Sequence, residues 1–358
     1  MWPYFAVFAP IAFMSTITQP RRIYPVFWSL MFVVIVIFVG LRHHVGMDWN
    51  NYLIMIRRAN IGEWTESFNV AEPGYATLLW VSGQLDWGVY GTYLAGTLIF
   101  AAGLFRYART TPYPWIALTV AMPFLVIVVA MSAARQAVAI GVLLWLAAVW
   151  QRSGLGWRVA LILLATSFHT SAAVFLIFAV LDLRVRAWIK VIAIAVAGAL
   201  LTYIMITTGR ADYYDNVYAT GQTELTQSSG AIFHTLLNGG PALLAFALGR
   251  RFRNILLPDR FHVNMAFASI VLVLLVPFAS AAAGRLTLYL FPVSMMIFSS
   301  LPLIVESAGS RSMLRQVTAA LMLLLLTVWL NFGNAAIAHR VYSNALFVDP
   351  YLLVLCCR

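Results

Sequence analysis

The chain has 358 residues, of which 62% are hydrophobic and 10% are charged, and its formal net charge is +11. Soluble domains carry about 25% charged residues, so this composition excludes a soluble enzyme and indicates a polytopic inner-membrane protein. The positive charge is explained by loop topology and by attraction to anionic membrane lipids, and it does not suggest a nucleic-acid partner.

Apolar runs long enough to span a bilayer recur along the chain and predict an all-α polytopic membrane protein. We expect about ten transmembrane helices plus one re-entrant or broken helical hairpin. The first run has neither a basic segment before it nor a small-residue cleavage site, so it is interpreted as a retained helix and not a signal peptide. The ten runs lie near residues 1–18, 23–41, 87–105, 113–131, 136–150, 188–207, 231–249, 262–280, 285–304 and 313–332.

The hairpin is predicted from residues 157–182, an apolar stretch with basic residues on both flanks. Arg158 lies at its start and Arg184 follows its end. Because basic loops stay cytoplasmic, the segment must enter the membrane and return to the same side. Two arms of about twelve residues each reach about 18 Å, roughly half of the hydrocarbon core. His169 then lies at the tip, where non-helical backbone requires a protein-lined or water-filled cavity, so it is a candidate site residue.

The threading of the whole chain follows from the same rule. An external amino terminus places 15 of the 23 basic residues in the cytoplasm, whereas a full span at 157–182 would expose the cluster from Arg250 to Arg260 outside. The prediction is one transmembrane domain, 1–358, with extracytoplasmic loops at 42–86 and 209–230. The cytoplasmic basic residues are Arg21, Arg22, Arg106, Arg109, Arg152, Arg158, Arg184, Arg186, Lys190, Arg250, Arg251, Arg253, Arg260, Arg311 and Arg315.

The external segment 42–86, with its interfacial or re-entrant helix, contains acidic and aromatic residues that suit carbohydrate. Asp48 precedes Tyr52 by one helical turn, and Glu72 precedes Tyr75. Carboxylates accept hydrogen bonds from sugar hydroxyls, and aromatic rings stack on pyranose faces, so we expect a sugar-binding surface here. Alternatives are an interfacial aromatic belt, preferred for Trp64, Trp80 and Trp87, and a simple helix start with proline at its first position for Glu72.

Two arginines follow small residues in similar turns between apolar helices, in Ser-Ala-Ala-Arg135 and Ala-Ala-Gly-Arg285. Each is expected in the first turn of the next helix, where free N–H groups, the helix dipole and a guanidinium together favour phosphate. Two such ends would bracket a diphosphate. Gln136 is predicted to bind sugar or phosphate beside the first arginine. Tyr289, one turn after the second arginine, is predicted to bind sugar. Snorkelling to the interface is the structural alternative for either arginine.

The sequence contains no pattern that indicates a metal or nucleotide cofactor. The six histidines lack metal-ligand spacing, and Cys356 and Cys357 suggest neither a metal site nor a disulfide framework. No glycine motif suited to a nucleotide phosphate follows a strand pattern. No cofactor is therefore expected. The tyrosine-rich loop 209–230 suits recognition of a repeat unit, although such loops also occur without any ligand.

The motifs together resemble those of the EpsG family, which belongs with the Wzy-type polysaccharide polymerases. They are Gly46-Met47-Asp48 with Tyr52, Glu72-Pro73-Gly74-Tyr75, Arg135-Gln136 with Ala139, Phe168-His169-Thr170-Ser171-Ala172, Arg285 with Tyr289, and a late Asp349-Pro350-Tyr351. The resemblance implies a membrane glycosyltransferase of GT-C-like architecture. It would join undecaprenyl-diphosphate-linked oligosaccharides into exopolysaccharide or O-antigen on the periplasmic side, with chain-length regulator and export proteins as possible partners.

Glycosyl transfer from a polyprenyl diphosphate requires a base for the acceptor hydroxyl and positive charge for the leaving group. Arg135 and Arg285 supply the charge, and the base is Asp48 or His169, with Asp48 ranked first. Two other functions stay open: a flippase or transporter of lipid-linked oligosaccharide, and an O-antigen-ligase-like enzyme or membrane acyltransferase.

Overall fold

The computed structural model of the protein describes residues 1–192, 195–196 and 230–348. In these ranges the chain is mainly helical, and its strands are limited to the short ribbon of β1 (Arg42–His43) and β2 (Ser343–Asn344), which pair antiparallel. The predicted all-α fold is confirmed at this level. The α-helices named below are α1 (Trp2–Ile17), α2 (Pro25–Gly40), α3 (Trp49–Ala59), α4 (Pro73–Gln84), α5 (Gly88–Ala108), α6 (Pro114–Ala121), α7 (Ala130–Ser132), α8 (Ala134–Val149), α9 (Leu155–Phe168), α10 (Leu176–Leu181), α11 (Ala231–Ala247), α12 (Gly249–Leu256), α13 (Arg260–Leu286), α14 (Phe291–Ser300) and α15 (Ala308–Phe332).

Five helical segments of the described chain are long and apolar enough to cross a membrane: Gly88–Ala108, Pro114–Ser132, Ala134–Arg152, Arg260–Ile304 and Ala308–Phe332. Five further apolar helices, among them α1, α2 and α11, have 10 to 17 residues. The count of ten spans therefore stays a prediction. Outside the described residues lie most of the predicted span 188–207, all of the loop 209–230 except its last residue, residues 349–351 and both cysteines.

The core is built on α5 and α8, which approach each other through glycine. A Cβ atom added to Gly103 would lie 1.8 Å from the carbonyl oxygen of Gly141, so only glycine permits this backbone contact. Small residues allow such close packing between membrane helices, where dispersion contacts replace the hydrophobic effect. Just before α8, a π-helical stretch, Met122–Val129, leads into α7, and the helix breaks at Ala133 (φ −98°, ψ 62°). That break places the first turn of α8 at the site described below.

The loops expected in the cytoplasm meet at one end of the molecule, which we call the base end. They are the loops after α1, α5 and α8 and the loop before α13. Three contacts connect them: the Arg21 N–H donates to the Pro112 carbonyl (2.8 Å), Tyr107 Oη lies 2.9 Å from His262 Nε2, and the rings of Trp150 and Phe261 stack at 4.1 Å. The ends of α2, α7 and α9 lie at the opposite end of the helices, which we call the site end.

The predicted broken hairpin is present. It consists of α9, an extended residue at His169 (φ −156°, ψ 117°), a 3₁₀ turn (Thr170–Phe175) and α10. At the base end, the Arg158 guanidinium donates to the Asp182 carboxylate, so the start of α9 lies beside the end of α10. The chain therefore enters and leaves at the same end, with His169 at the tip.

The prediction for Arg285 needs a correction. This residue was expected in the first turn of a new helix, but α13 continues through it and ends at Leu286. The break in α13 is at Ala279 (φ −150°, ψ 60°), two residues after Pro277. Proline removes a backbone donor and kinks a helix, which explains a break earlier than the small-residue run suggested. Arg285 thus lies in the second turn after the kink.

Candidate active site

Glu72 and Arg135 form the centre of the site. Glu72 immediately precedes Pro73, the first residue of α4, and Arg135 is the second residue of α8, in its first turn as predicted. Arg135 Nη1 lies 3.0 Å from Glu72 Oε2. The carboxylate side chain is 8% exposed, whereas 35% of the arginine side chain remains exposed. The ion pair therefore fixes one edge of the guanidinium and leaves part of it accessible.

The hairpin tip supplies the other partners of Glu72. Its Oε1 accepts hydrogen bonds from the backbone N–H of Thr170 (3.3 Å) and from the Thr170 hydroxyl (3.2 Å). His169 Nδ1 lies 3.5 Å from the same oxygen. Glu72 thus ties together the start of α4, the start of α8 and the tip of the hairpin, three elements that are distant in sequence.

Asp48 is the second carboxylate of the site, and its surroundings differ. It lies immediately before α3 and is half-buried, and no basic group of the described residues approaches within ion-pair distance. Its Oδ1 accepts a hydrogen bond from Asn51 Nδ2 at 3.5 Å. Both Arg135 and Arg285 nevertheless lie close enough to act on it electrostatically. Asp48 therefore faces two positive charges, and no ion-pair partner for it lies among the described residues.

These environments move the pKa values of the two carboxyl groups in opposite directions. For Glu72, burial by itself raises the pKa, but the contact with His169 and the Arg135 charge outweigh it and hold the pKa well below its usual range. For Asp48, burial raises the pKa above its usual value, and Arg135, Asn51 and Arg285 offset this only in part. Paired carboxyl groups with separated pKa values are a means of assigning acid–base roles. Of the two carboxyl groups, Asp48 therefore takes up a proton more readily than Glu72.

Gln136 connects the two arginine segments. Its side-chain amide donates from Nε2 to the Arg285 carbonyl oxygen at 2.9 Å. Gln136 itself is buried, and the Arg285 side chain is exposed and makes no ion pair with the described residues. The structure therefore holds the backbone of Arg285 against the first turn of α8 while its guanidinium stays accessible.

Three buried tyrosines pack against the residues of the site. The Tyr52 hydroxyl accepts a hydrogen bond from the backbone N–H of Arg135 at 3.2 Å, and the Tyr75 ring packs 5.7 Å from that of Tyr52. Tyr289 Oη lies 2.8 Å from Ser171 Oγ at the hairpin tip. All three are at most 3% exposed, so none presents an open ring face here. Their predicted contact with sugar stays a prediction.

The structure therefore brings all nine candidate residues to the site end. They are Asp48, Tyr52, Glu72, Tyr75, Arg135, Gln136, His169, Arg285 and Tyr289. Sequence reasoning assigned no role to Thr170 and Ser171, which bind Glu72 and Tyr289. Their position directly after the histidine at the hairpin tip was the available signal. Within the described ranges, no group of three or more His, Cys, Asp or Glu side chains is suited to hold a metal ion.

Comparison with known protein families finds a match over most of the chain. The model of the EpsG family matches residues 25–344, which include every candidate site residue. No curated protein and no solved structure matches the chain.

Proposed function

Because the chain belongs to the EpsG family, a family of Wzy-type polymerases, we propose that it polymerises undecaprenyl-diphosphate-linked oligosaccharide repeat units. The reaction takes place on the periplasmic side of the inner membrane, within a GT-C-like architecture, and yields exopolysaccharide or O-antigen. The observation that carries the proposal is the placement of Asp48. It is half-buried, has no ion-pair partner among the described residues and lies within electrostatic reach of both Arg135 and Arg285.

The two arginines suit a diphosphate leaving group. Arg135 has one carboxylate partner and a partly exposed side chain, and Arg285 has no ion pair among the described residues. Guanidinium groups bind phosphate oxygens through paired N–H donors and stabilise charge that develops as the leaving group departs. The Gln136 hydrogen bond keeps the two arginine segments at a fixed spacing. We assign the donor diphosphate to this pair, with His169 as a further ligand.

Asp48 is assigned as the general base. Its carboxylate takes the proton of the acceptor hydroxyl while that oxygen forms a bond to the anomeric carbon of the donor. The bond from the anomeric carbon to the phosphate oxygen breaks, and undecaprenyl diphosphate leaves. A single displacement of this kind inverts the anomeric configuration. The donor is the growing glycan, and the acceptor is a fresh lipid-linked repeat unit.

Glu72 is assigned an anchoring role in place of a sugar contact. Both of its oxygens already contact the protein, one at Arg135 and the other at Thr170 and His169. A carboxylate with its pKa held well below the usual range is a poor base. Its negative charge instead orients Arg135 and His169 relative to each other.

Polymerisation by the purified protein in liposomes tests the proposal. The liposomes contain undecaprenyl-diphosphate-linked repeat units and neither nucleotide nor metal. The wild type is expected to produce a ladder of lipid-linked oligomers, and Arg135→Ala and Arg285→Ala are expected to abolish it. Arg158→Ala, an arginine of the base end, is the matched control and should retain the ladder per amount of folded protein.

Three results would overturn the proposal. Movement of the lipid-linked units between leaflets without any ladder would identify a flippase. Transfer of glycan only to a different acceptor, such as lipid A, would identify a ligase-like enzyme. A full ladder in both site-end arginine variants would exclude the assigned diphosphate site.

A further inference from the structure

Arg42 is a buried cation whose contacts differ from those of an ion pair. It lies two residues after the end of α2, it is 1% exposed, and no carboxylate of the described residues lies within ion-pair distance. Burial of an isolated charge is costly unless hydrogen bonds compensate for lost water. The hydrogen bonds of the Arg42 side chain must therefore offset the cost of burying its charge.

Those contacts are backbone carbonyl groups and an aromatic ring. Arg42 Nη1 donates to the Val39 carbonyl (2.7 Å), and Nε donates to the carbonyls of Met131 (3.0 Å) and Val45 (3.3 Å). The guanidinium carbon lies 3.8 Å from the centre of the Tyr93 ring, a favourable cation–π distance. One planar group thus joins the end of α2, the loop before α3 and the end of α7.

The Met131 carbonyl belongs to the helix break that sets the position of Arg135. The last carbonyls of a helix lack intrahelical partners, so α7 ends with acceptors that require donors from elsewhere. Arg42 supplies one at Met131. The Met47 N–H donates to the Ser132 side-chain hydroxyl at 3.3 Å, which attaches the same loop to the end of α7. Arg135 is four residues beyond Met131.

Gly46 brings the loop into the same place. Its φ of +103° lies in the region that favours glycine. A Cβ atom added there would lie 2.0 Å from the Met131 carbonyl oxygen. The segment from Arg42 to Met47 therefore packs directly on the break, and any side chain at position 46 would push the break away.

We propose that Arg42 is a positioning residue: by holding the Met131 carbonyl it fixes the helix break and thereby places the Arg135 guanidinium for the diphosphate. The assignment of the ligand rests on the proposed function, whereas the coupling between Arg42 and the break does not. Arg42 does not touch substrate. Loss of its fork-shaped contacts loosens the first turn of α8 and weakens diphosphate binding.

Arg42→Lys is the main test, because lysine keeps the charge and loses the rigid fork. The matched control is Arg315→Lys. Arg315 also binds a helix-end carbonyl, that of Thr18, and lies 5.9 Å from a tyrosine ring, but at the base end. Gly46→Ala is a second variant that displaces the same carbonyl from the other side, and it is informative if the lysine variant fails to fold.

The first readout is amide hydrogen exchange of the detergent-solubilised full chain. Arg42→Lys and Gly46→Ala are expected to speed exchange at residues 130–137 about tenfold through easier local opening. Arg315→Lys should leave those amides unchanged. Wild-type exchange at 130–137 in either site-end variant would overturn the inference, whether or not the protein polymerises glycans.

The second readout is binding of undecaprenyl diphosphate by titration, with Arg135→Ala as reference. Arg42→Lys is expected to weaken binding roughly tenfold, as expected for one misplaced bidentate contact. Affinity lost in Arg135→Ala but retained in Arg42→Lys would overturn the inference. Unchanged affinity in both variants would instead overturn the proposed diphosphate site and leave the coupling to be judged by exchange alone.

Discussion

The hairpin carries a charged contact at each end, and the two contacts are built differently. At the base end, Arg158 donates to the Asp182 carboxylate and to the Trp150 carbonyl (2.9 Å), and its guanidinium carbon lies 4.5 Å from the Trp150 ring. At the tip, Glu72 gathers Arg135, but part of that guanidinium stays exposed. The ion pair at the base end joins the two arms of the hairpin, whereas the guanidinium at the tip stays partly accessible to a further anion.

The difference extends to the neighbouring charges. The Trp150 indole N–H also donates to the Asp182 carboxylate at 3.3 Å. Both charges of the ion pair at the base end therefore have protein partners. At the site end, Asp48 and Arg285 have no ion-pair partner among the described residues. Unpaired opposite charges in one place cost stability and therefore indicate a site that receives a ligand. The same kind of substitution made at each end should therefore separate effects on activity from effects on stability.

The largest effect is expected for Asp48→Asn, compared with Asp182→Asn. Loss of the proposed base should lower the polymerisation rate by about 10²–10⁴-fold, while the fold persists because Asp48 has no ion pair among the described residues. Asp182→Asn should lower the melting temperature and keep the rate per folded protein within about twofold, since it removes a partly buried ion-pair partner far from the site. Initial rates in liposomes and thermal unfolding give both numbers. Full activity of Asp48→Asn would exclude it as the base and favour His169.

Glu72→Gln should affect function and stability together. The carboxamide keeps the shape but leaves Arg135 without its counter-charge, so we expect a stability loss of about 1–3 kcal/mol. Because the freed guanidinium is no longer oriented, the KM for lipid-linked repeat units should rise about tenfold, as for loss of a charge-assisted contact. Asp182→Asn is the control, with a similar stability loss and an unchanged KM. Kinetics and unfolding on the same preparations distinguish the two, and an unchanged KM in Glu72→Gln would contradict the anchoring role.

The hairpin and the grouping of the site residues could be predicted because both follow from the side of the membrane on which each loop lies. Basic residues on both flanks of 157–182 require a return to the same side, and the threading then places His169, Asp48 and the two arginines at one end. Which side chains pair could not be predicted, because Glu72 and Arg135 meet only through the packing of α4, α8 and the hairpin.

One wrong prediction and one omission have local causes. Arg285 was expected to start a helix because small residues precede it, yet Pro277 moves the break to Ala279. Arg42 received no role because a charge directly after an apolar run is explained equally well by snorkelling to the interface. Only the three-dimensional structure shows that it is buried and that it binds the carbonyl of Met131.

Gln136→Ala should have a smaller effect than either carboxylate variant. It removes one hydrogen bond to the Arg285 carbonyl, and such a bond contributes about 0.5–1.5 kcal/mol net, equivalent to roughly a two- to tenfold loss of rate. Ser153→Ala at the base end, which removes a hydrogen bond to the Val149 carbonyl (3.0 Å), is the control and should leave the rate unchanged. The rate is measured at saturating and at low substrate. A loss confined to low substrate indicates weaker diphosphate binding, and equal rates in wild type and Gln136→Ala would show that the tie is dispensable.

The pH dependence of the wild type should separate the two carboxylates of the site. As pH falls through the raised pKa of Asp48, the base becomes protonated and the rate declines, with the acid limb above the usual range of an aspartate. Protonation of Asp48 does not unfold the protein, because a raised folded pKa means that its contribution to stability is greatest in acid. Glu72 has a lowered pKa, so its contribution is present above the unfolded value and is lost only as pH falls through the folded one.

Mild acid should therefore inactivate the enzyme reversibly before it unfolds. Initial rates and thermal unfolding, measured across the same pH series, test this order, and Asp48→Glu should move the acid limb while leaving the unfolding profile in place. If rate and fold were lost together, the acid limb would belong to Glu72 and its ion pair, and the functional distinction between the unpaired carboxylate and the anchored one would fail.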